Sequence, residues 1–375
     1  MSKKYILRGD PILSLAINKL RITTVWRSIL FTLITVIISL LLIPLATGTF
    51  GLILKDMPSI ILALFILPAI AIFYFNIQIS MYEELEKGIC ATSVLPIGDE
   101  VKKQAWNKTR TFISSNILFI LALSTTIVGL IAHIVDVRKS NPFELYWYYN
   151  PQHPYYFWGL RVPITGMFMY MGIMFAFRSL YLLFSVYRLF KVVPSVNIQV
   201  LHPDRCGGLA FLGNFSLKIT YFIGLIGILI GTLFTASEYI YNLNPLVVPS
   251  YLLLFIAYLI GANAFFFLPL WSVHDRMKQS KMETLRNISI AADHLFDKLQ
   301  EQITDKEIGS TEDFHKLYDL QKMYDIALSF PAWPFDIETL KRFGAVFVSP
   351  FFTPILYAIV EWFVKQFGHQ NLILK

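Results

Sequence analysis

Long apolar runs separated by short polar segments constrain this chain more than any other feature of its sequence. Six such runs cover about 29–46, 58–79, 112–135, 162–190, 219–241 and 247–273. Their lengths are close to the ~20 residues that a helix needs to cross the ~30 Å hydrocarbon core of a bilayer. Charged residues make up only 15% of the chain, whereas soluble domains contain about 25%. The sequence therefore predicts an all-α fold, a polytopic transmembrane helical bundle.

The polar segments divide the chain into regions with different expected positions. Residues 1–27 are predicted to form a cytoplasmic amphipathic N-terminus and 28–273 the transmembrane bundle, with cytoplasmic loops at 80–111 and 191–218. Lysine and arginine are concentrated in these polar segments and in 274–342, and the positive-inside rule places such segments in the cytoplasm. This distribution predicts a bacterial inner (plasma) membrane protein with a cytoplasmic N-terminus. It also accounts for the net charge of +7 without nucleic acid as a partner.

Residues 274–342 have the pattern of a cytoplasmic helical hairpin. Apolar residues recur at steps of three and four in two stretches, which begin at Leu285 and Phe314. This spacing places one apolar stripe along each of two helices. A last apolar run within 343–375 contains two prolines, and it is predicted to be either a seventh span or a re-entrant segment.

Two sequence features within the runs predict how the helices pack. Gly227 and Gly231 form a Gly-x-x-x-Gly pair in the fifth run, and such a pair lets another helix approach closely. Pro68 lies inside the second run and is expected to kink its helix.

Arg178 is the candidate functional residue with the clearest physical argument. It lies well inside the fourth run, and an arginine at the centre of a membrane helix costs about 2.5–3.5 kcal/mol, so it normally faces a polar partner or water. Counting ~1.5 Å per residue from the inner ends of the runs places Asn263 at a similar depth and Glu238 farther out. Asn263 is therefore the expected partner. Arg178 is then either a fixed positive charge beside an anion pathway or a structural arginine bonded to neighbouring helices.

The polar loop between the fourth and fifth runs is the second candidate site. It contains His202, Asp204, Arg205, Gly207 and Gly208, so ionisable side chains lie next to backbone that can turn without a Cβ clash. Three interpretations are open: an anion site at the glycine N–H groups and Arg205, the start of a metal site, or a structural turn in which Asp204 caps the next segment. Because no recognised metal-ligand spacing accompanies the loop, no metal and no cofactor is predicted.

A second polar segment is predicted to dock against this loop. Trp333, Asp336 and Arg342 surround the start of the last apolar run, and both segments are expected at the inner membrane surface. Asp336 directly precedes the run and is placed to act as its helix N-cap.

Three short motifs together resemble a group of uncharacterised bacterial multi-pass integral membrane proteins. The motifs are His-Pro-Asp-x-x-Gly-Gly-Leu (202–209), Trp-Pro-Phe-Asp (333–336) and Thr-Leu-x-Arg-Phe (339–343). The resemblance implies a location in the membrane and implies no activity.

The leading functional hypothesis is a channel or transporter, assembled as a homo-oligomer in the lipid bilayer. It passes a small anion past Arg178 and is gated from the cytoplasmic side by 202–208 and 274–342. A second hypothesis is a membrane sensor or scaffold whose hairpin binds a cytoplasmic protein partner. A third is a membrane enzyme that acts on a lipid headgroup, with His202 as acid or base and Asp204 as its orienter. The sequence contains no Ser-His-Asp order, phosphate loop or dinucleotide fingerprint, which favours a role other than catalysis.

Overall fold

Helices form all the regular secondary structure in the described part of the chain. The structure is a computed structural model, and it describes residues 10–14, 24–50, 60, 62–91, 94–96, 98–139, 150, 152–193, 202, 204, 206–239, 249–304, 311–335, 337–352, 354–356, 358–359 and 362. Within these ranges, five helices are long and apolar enough to cross a membrane, and a bent sixth helix passes the same test if its two halves count as one span. The protein is an all-α integral membrane protein, as the sequence predicts.

The helix bounds follow the predicted runs. In chain order the helices are α1 (Pro11–Ser14), α2 (24–47), α3 (62–91), α4 (Asp99–Ile113), α5 (Asn116–Lys139), α6 (154–192), α7 (Ala210–Tyr239), α8 (Pro249–Thr304), α9 (Thr311–Ser329) and α10 (Ile337–Val348), and a 3₁₀ turn (Ser349–Phe351) follows α10. The six predicted runs lie on α2, α3, α5, α6, α7 and α8. Several bounds differ. α2, α6 and α7 begin before 29, 162 and 219, α3 and α8 continue beyond 79 and 273, and the start of the third run lies on α4.

Three bundle helices contain a π-helical turn directly before a proline. The pairs are Ile38–Leu42 with Pro44, Leu62–Ile66 with Pro68, and Phe157–Arg161 with Pro163. A proline ring inside an α-helix clashes with the carbonyl of the residue four positions earlier, and proline cannot donate to that carbonyl. A wider turn rearranges the backbone at this point. The three helices therefore continue through their prolines.

Aromatic side chains fill the bundle core. The ring of Phe175 on α6 packs against Phe73 on α3 at 5.3 Å and against Phe222 on α7 at 4.4 Å between centroids. Phe31 on α2 contacts Phe75 on α3 at 5.5 Å. Edge-to-face and tilted pairs of this kind are favourable beyond their buried area. They fix α2, α3, α6 and α7 around one another.

Part of the 10–14 segment lies inside the bundle, whereas the sequence predicted 1–27 as a cytoplasmic amphipathic N-terminus, part of it along the membrane surface. Asp10 and Leu13 are buried, and Leu13 packs in a group of side chains from α3, α5 and α6. An acidic residue enters such a core only where a partner balances its charge. Residues 1–9 and 15–23 lie outside the described residues.

The segment around α10 packs along α7 at the Gly-x-x-x-Gly pair. A Cβ on Gly231 would lie 1.9 Å from the carbonyl oxygen of Pro350, and a Cβ on Gly227 would lie 2.2 Å from Oγ of Ser349. Because only glycine permits this approach, the predicted close packing at the pair is confirmed. The hydroxyl of Tyr258 on α8 donates to the carbonyl oxygen of Val346 at 2.7 Å, which joins α8 to the same segment.

The contacts with α7 extend over most of a membrane thickness. Gly213 faces the carbonyl oxygen of Pro334, and Gly231 faces that of Pro350. At 1.5 Å per residue these two glycines are ~27 Å apart along α7, which approaches the ~30 Å of a hydrocarbon core. In the last apolar run, Phe343, Val346 and Pro350 are therefore buried beside α7, whereas Phe351, Ile355, Ile359 and Trp362 are exposed. Residues beyond 362 lie outside the described residues.

α8 joins the sixth span to the hairpin without an interruption. It contains 56 residues, and it bends by 41° between Phe255–Leu268 and Leu270–Glu301. The bend coincides with Pro269, a residue type that removes a helix hydrogen bond. The predicted division at 273–274 therefore falls within one helix.

α9 packs antiparallel to the second half of α8, which confirms a helical hairpin in this region. Leu285 and Ala327 are buried between the two helices. Nζ of Lys281 donates to the carbonyl oxygen of Phe330 at 2.7 Å, beyond the end of α9. At the other end, Nζ of Lys298 lies 2.9 Å from Oδ2 of Asp313.

Candidate functional site

A buried ion pair lies in the middle of the bundle. Nη1 of Arg178 is 3.1 Å from Oδ2 of Asp10, and the two side chains are 3% and 0% exposed. Arg178 lies near the midpoint of α6, whereas Asp10 directly precedes the one-turn helix α1. Breaking a buried pair by removing one partner costs about 3–5 kcal/mol, because the other charge stays buried. Each side chain therefore holds the other in the core.

Polar groups of α3 complete the surroundings of the ion pair. The hydroxyl of Tyr74 donates to Oδ1 of Asp10 at 2.5 Å, and Nη1 of Arg178 donates to Oε1 of Gln78 at 3.1 Å. Nε2 of Gln78 donates back to the carbonyl oxygen of Tyr74. Tyr74 and Gln78 are four residues apart and so face the same side of α3. The backbone N–H of Leu13 also donates to Oδ1 of Asp10, at 3.2 Å, which holds the α1 segment to its own carboxylate.

Arg178 keeps unused hydrogen-bonding capacity. In the part of the chain that the structure describes, its Nε and Nη2 find no acceptor. A void of about 10 Å³ is lined by Arg178 together with Gln78, Met81, Ser179 and Leu182 among others. A void of this volume is on the scale of one water molecule. The arrangement thus offers donors to a very small polar species beside the ion pair.

Asn263 is not the partner of Arg178, so the prediction from depth is wrong. Its side chain is exposed on α8, and its Nδ2 donates to the carbonyl oxygen of Leu259 one turn earlier, at 2.9 Å. Depth along the membrane does not specify the face on which a residue lies, and Asn263 lies on an outer face. Glu238 is in the last turn of α7, and its side chain lies outside the described residues.

Asp204 organises the loop before α7 through three backbone N–H groups. Its Oδ1 accepts hydrogen bonds from Cys206 at 2.9 Å and Gly208 at 3.0 Å, and its Oδ2 accepts one from Ala210 at 3.1 Å. Burial raises the pKa of the Asp204 carboxyl, but these bonds and the contact with His202 outweigh burial, so the pKa lies below its usual value. Because Ala210 is the first residue of α7, Asp204 acts as a helix cap.

His202 forms a close pair with the same carboxylate. Its Nδ1 lies 2.7 Å from Oδ1 of Asp204, and the backbone N of Asp204 lies 3.3 Å from that ring nitrogen. Nδ1 cannot donate and accept at once. A separation of 2.7 Å from a carboxylate oxygen requires a proton between the two atoms, so we assign the N–H to Nδ1. The pair has the arrangement of an acid or base with its orienter, although both oxygens of Asp204 also serve the cap.

The two glycines of the loop serve its turn. Gly207 and Gly208 have φ of 69° and 89°, a region that other residues rarely adopt. A Cβ on Gly208 would lie 2.6 Å from Cγ2 of Val94, and its N–H already donates to Asp204. This geometry favours the structural turn over an anion site. Arg205 lies outside the described residues, and within them no three metal-ligating side chains come together.

Trp333 docks on α8 rather than on the loop. Its ring stacks on His274 with the centroids 4.1 Å apart and an interplanar angle of 19°. Nδ1–H of His274 donates to the carbonyl oxygen of Ala332 at 2.8 Å. The next residue, Pro334, contacts Gly213 near the start of α7. The segment therefore meets α7 just beyond the loop, and Trp333 also contacts the rings of Phe267 and Trp271 on α8.

Arg342 and Asp336 are the other two residues that the sequence predicted to dock against the loop. Arg342 is exposed on α10 and pairs with Glu338 one turn earlier on the same helix. Such an exposed pair contributes little to stability. Asp336 lies outside the described residues.

Asp10, Tyr74 and Gln78 are the site residues that sequence reasoning missed. A signal for Asp10 exists, since it is the only acidic residue before Asp56 and is followed by Pro-Ile-Leu. A lone acid in an otherwise basic N-terminal segment is a candidate partner for a buried arginine. Comparison of the chain with models of protein families, with curated proteins and with solved structures gives no match.

Proposed function

We propose that the protein is a channel or transporter for small anions in the bacterial inner membrane, acting as a homo-oligomer and gated from the cytoplasmic side. One observation carries this proposal. The charge of Arg178, at the middle of α6, is balanced by Asp10, which belongs to a segment outside the spans.

Asp10, which balances the charge of Arg178, does not belong to any of the spans. Residues 11–14 form a single helical turn, and the first membrane-crossing helix begins at Trp26. In the proposed opening, this turn leaves the core while the spans stay in place. An unbalanced guanidinium in the core is unfavourable. A small anion that replaces the Asp10 carboxylate restores the balance, and the spare donors of Arg178 can bind it. The described state, with Asp10 bound, is then the closed state.

The distribution of basic residues supports gating from the cytoplasm. Lysine and arginine are enriched in 1–27 and 274–342, which the positive-inside rule assigns to the cytoplasmic side. The loop before α7 and the 333–335 segment converge near the start of that helix. Movement of the hairpin is thereby linked to α7, which packs beside α3 and α6.

Ion flux in proteoliposomes tests the proposal. The full chain is reconstituted, and chloride and potassium gradients are compared for wild type, Asp10→Asn and Arg178→Gln. Asp10→Asn removes the internal anion, so we expect anion flux to rise several-fold. Arg178→Gln removes the charge that binds the permeant ion, so we expect anion flux to fall to background.

A second ion pair between two helices provides the matched control. Nζ of Lys218 on α7 lies 2.6 Å from Oε1 of Glu84 on α3, and Glu84→Gln breaks this pair without touching Arg178. Its flux should equal that of wild type. If wild type and Asp10→Asn both pass no anion while they remain folded and oligomeric, the ion pair is structural and the proposal fails.

A membrane sensor or scaffold is the second candidate function, and the surface of the hairpin favours it. Phe314 and Tyr318, one turn apart on α9, are exposed, and so is Phe296 on α8, to 58%. Clusters of exposed apolar side chains mark interaction surfaces. If this surface binds a second copy of the chain, Phe296→Ser with Phe314→Ser should reduce the mass of the complex in nanodiscs. An unchanged mass would remove this support.

A further inference from the structure

One side of the hairpin carries exposed apolar residues from both of its helices. At ~100° per residue, Met282 and Phe296 on α8 lie ~50–90° in the chain direction from the buried positions that pack against α9. Leu328 and Phe314 on α9 lie ~80–120° in the same sense from the buried positions of that helix. In two antiparallel helices, rotation in the same sense from the shared interface reaches the same side. The four side chains are 48–58% exposed, and we call the side that they share the hairpin face.

The register of the hairpin places opposite charges level with each other at the edges of this face. Nζ of Lys298 lies 2.9 Å from Oδ2 of Asp313, which aligns the two helices. The contact beyond the end of α9 has the same register. Twelve residues from this ion pair toward the bundle, α8 carries Arg286 and α9 carries Asp325. Both lie ~130–140° from the buried positions of their helices, at the outer edges of the hairpin face.

The hairpin face is complementary to itself under two-fold symmetry. Two copies inserted in the same direction are related by rotation about the membrane normal, which keeps every residue at its own height. When two hairpin faces meet in this way, α8 of one copy lies opposite α9 of the other. The register then brings together, to within one residue, Met282 with the partner's Leu328, Arg286 with the partner's Asp325, and Phe296 with the partner's Phe314. Apolar side chains therefore meet apolar ones, and a cation meets an anion, at three separate heights.

Arg286 and Asp325 are available for this contact. Both side chains are exposed, and within the described residues neither one bonds to or pairs with another side chain. Charges at the rim of an interface fix its register and exclude wrong partners more than they add affinity. The apolar side chains supply the affinity, because they leave water when two faces meet. The face thus has both a source of affinity and a source of specificity.

We infer that the hairpin binds the hairpin of a second copy of this chain, face to face, as an antiparallel four-helix bundle. Each helix then has antiparallel neighbours, the arrangement of up-and-down bundles with short loops. The inference rests on the second candidate function, in which this surface binds a protein, and it names that protein. It does not depend on anion transport.

Charge reversal in two separately tagged chains tests the inference. Arg286→Asp and Asp325→Arg each place like charges opposite each other in a pair of identical copies, so each variant should self-associate less than wild type. In a mixed pair both contacts again join opposite charges, because each variant supplies the sign that the other lacks. The full chains are reconstituted together in liposomes, and one tag is captured through the other. We expect about ten-fold more mixed complex than self-complex of either variant, with the preference lost at ~1 M salt.

Glu283 on α8 and Lys322 on α9 provide the matched control. Both are exposed, and both lie ~100° around their helices from the centre of the hairpin face. Glu283→Arg and Lys322→Asp therefore reverse one charge on each helix away from the face. Each should self-associate as wild type does, and their mixture should show no preference.

A mixed yield for the Arg286 and Asp325 variants no higher than for the control pair would overturn the inference. If wild type is oligomeric in that case, the copies associate through another surface, and only this inference fails. Wild type that stays monomeric at every protein density would also contradict the homo-oligomer of the proposed function. If Arg286 and Asp325 served only their own hairpin, mixing would restore nothing, and thermal unfolding of each variant checks that it is folded.

Discussion

The contact between Gly231 and Pro350 yields a sharp prediction about packing in the membrane. A Cβ on Gly231 would lie 1.9 Å from the carbonyl oxygen of Pro350 and 2.8 Å from its carbonyl carbon. Gly231→Ala therefore requires the 3₁₀ turn after α10 to move away from α7 by about 1.1 Å to reach even the tight separation of 3.0 Å. The clash involves backbone, so no rotamer change relieves it.

The expected magnitude follows from two opposing effects. Alanine is a better helix former than glycine by ~1 kcal/mol, whereas overpacking a well-packed core costs ~1–3 kcal/mol. At Gly261 only the first effect operates, because its Cβ would meet nothing within 4 Å. We expect Gly231→Ala to be less stable than Gly261→Ala by ~1–3 kcal/mol.

Thermal unfolding in detergent by scanning fluorimetry measures the difference. Gly231→Ala should unfold at a lower temperature than Gly261→Ala and wild type. Because the clash is with a carbonyl oxygen, Pro350→Ala should not rescue Gly231→Ala. Equal unfolding temperatures for the two alanine variants would refute the close approach of α7 to this turn.

Three further substitutions have expected effects on thermal unfolding. Asp204→Ala removes the cap of α7 and should lower the free energy of unfolding by ~0.5–2 kcal/mol at neutral pH. Because the folded pKa of Asp204 is lowered, the stabilisation is complete above the unfolded pKa of ~3.9 and is lost as pH falls through the folded pKa. The difference in stability between wild type and variant should therefore narrow below pH ~4, and a constant difference would contradict this account. Gly208→Ala combines a positive φ with a clash against Val94 and should cost ~1–3 kcal/mol, and Val94→Ala in the same chain should recover part of that loss. Lys281→Met removes a donor from the carbonyl oxygens of Leu328 and Phe330 and should destabilise the end of the hairpin by ~1 kcal/mol, detectable as faster hydrogen exchange there but not in α7.

The bundle could be predicted because its signals are local in sequence. An apolar run of about twenty residues needs no partner to indicate a span, and the Gly227 and Gly231 pair indicates close packing from its spacing alone. The hairpin follows from apolar periodicity in the same way. Each of these predictions depends only on residues that are close together in the sequence.

The site could not be predicted in full because its contacts join distant parts of the chain. Arg178 was identified as a buried charge, but Asp10 is 168 residues away in sequence, in a segment whose composition indicated the membrane surface. Depth alone favoured Asn263, which lies at a suitable height on the wrong face. The docking of Trp333 on His274 likewise depends on the relative positions of two elements, which neither stretch of sequence encodes separately.

Because α8 continues from the bundle into the hairpin, a small change of its bend moves the end of the hairpin over a large distance. Beyond the bend, Leu270–Glu301 extends for ~48 Å at 1.5 Å per residue, and its base lies in the same helix that contacts α10 inside the bundle. A change of only ~10° at Pro269 would sweep the far end of the arm through ~8 Å. Conversely, the torque that a force on the tip exerts at the bend is proportional to this length, so the end of the hairpin is where a given force acts most strongly on α8.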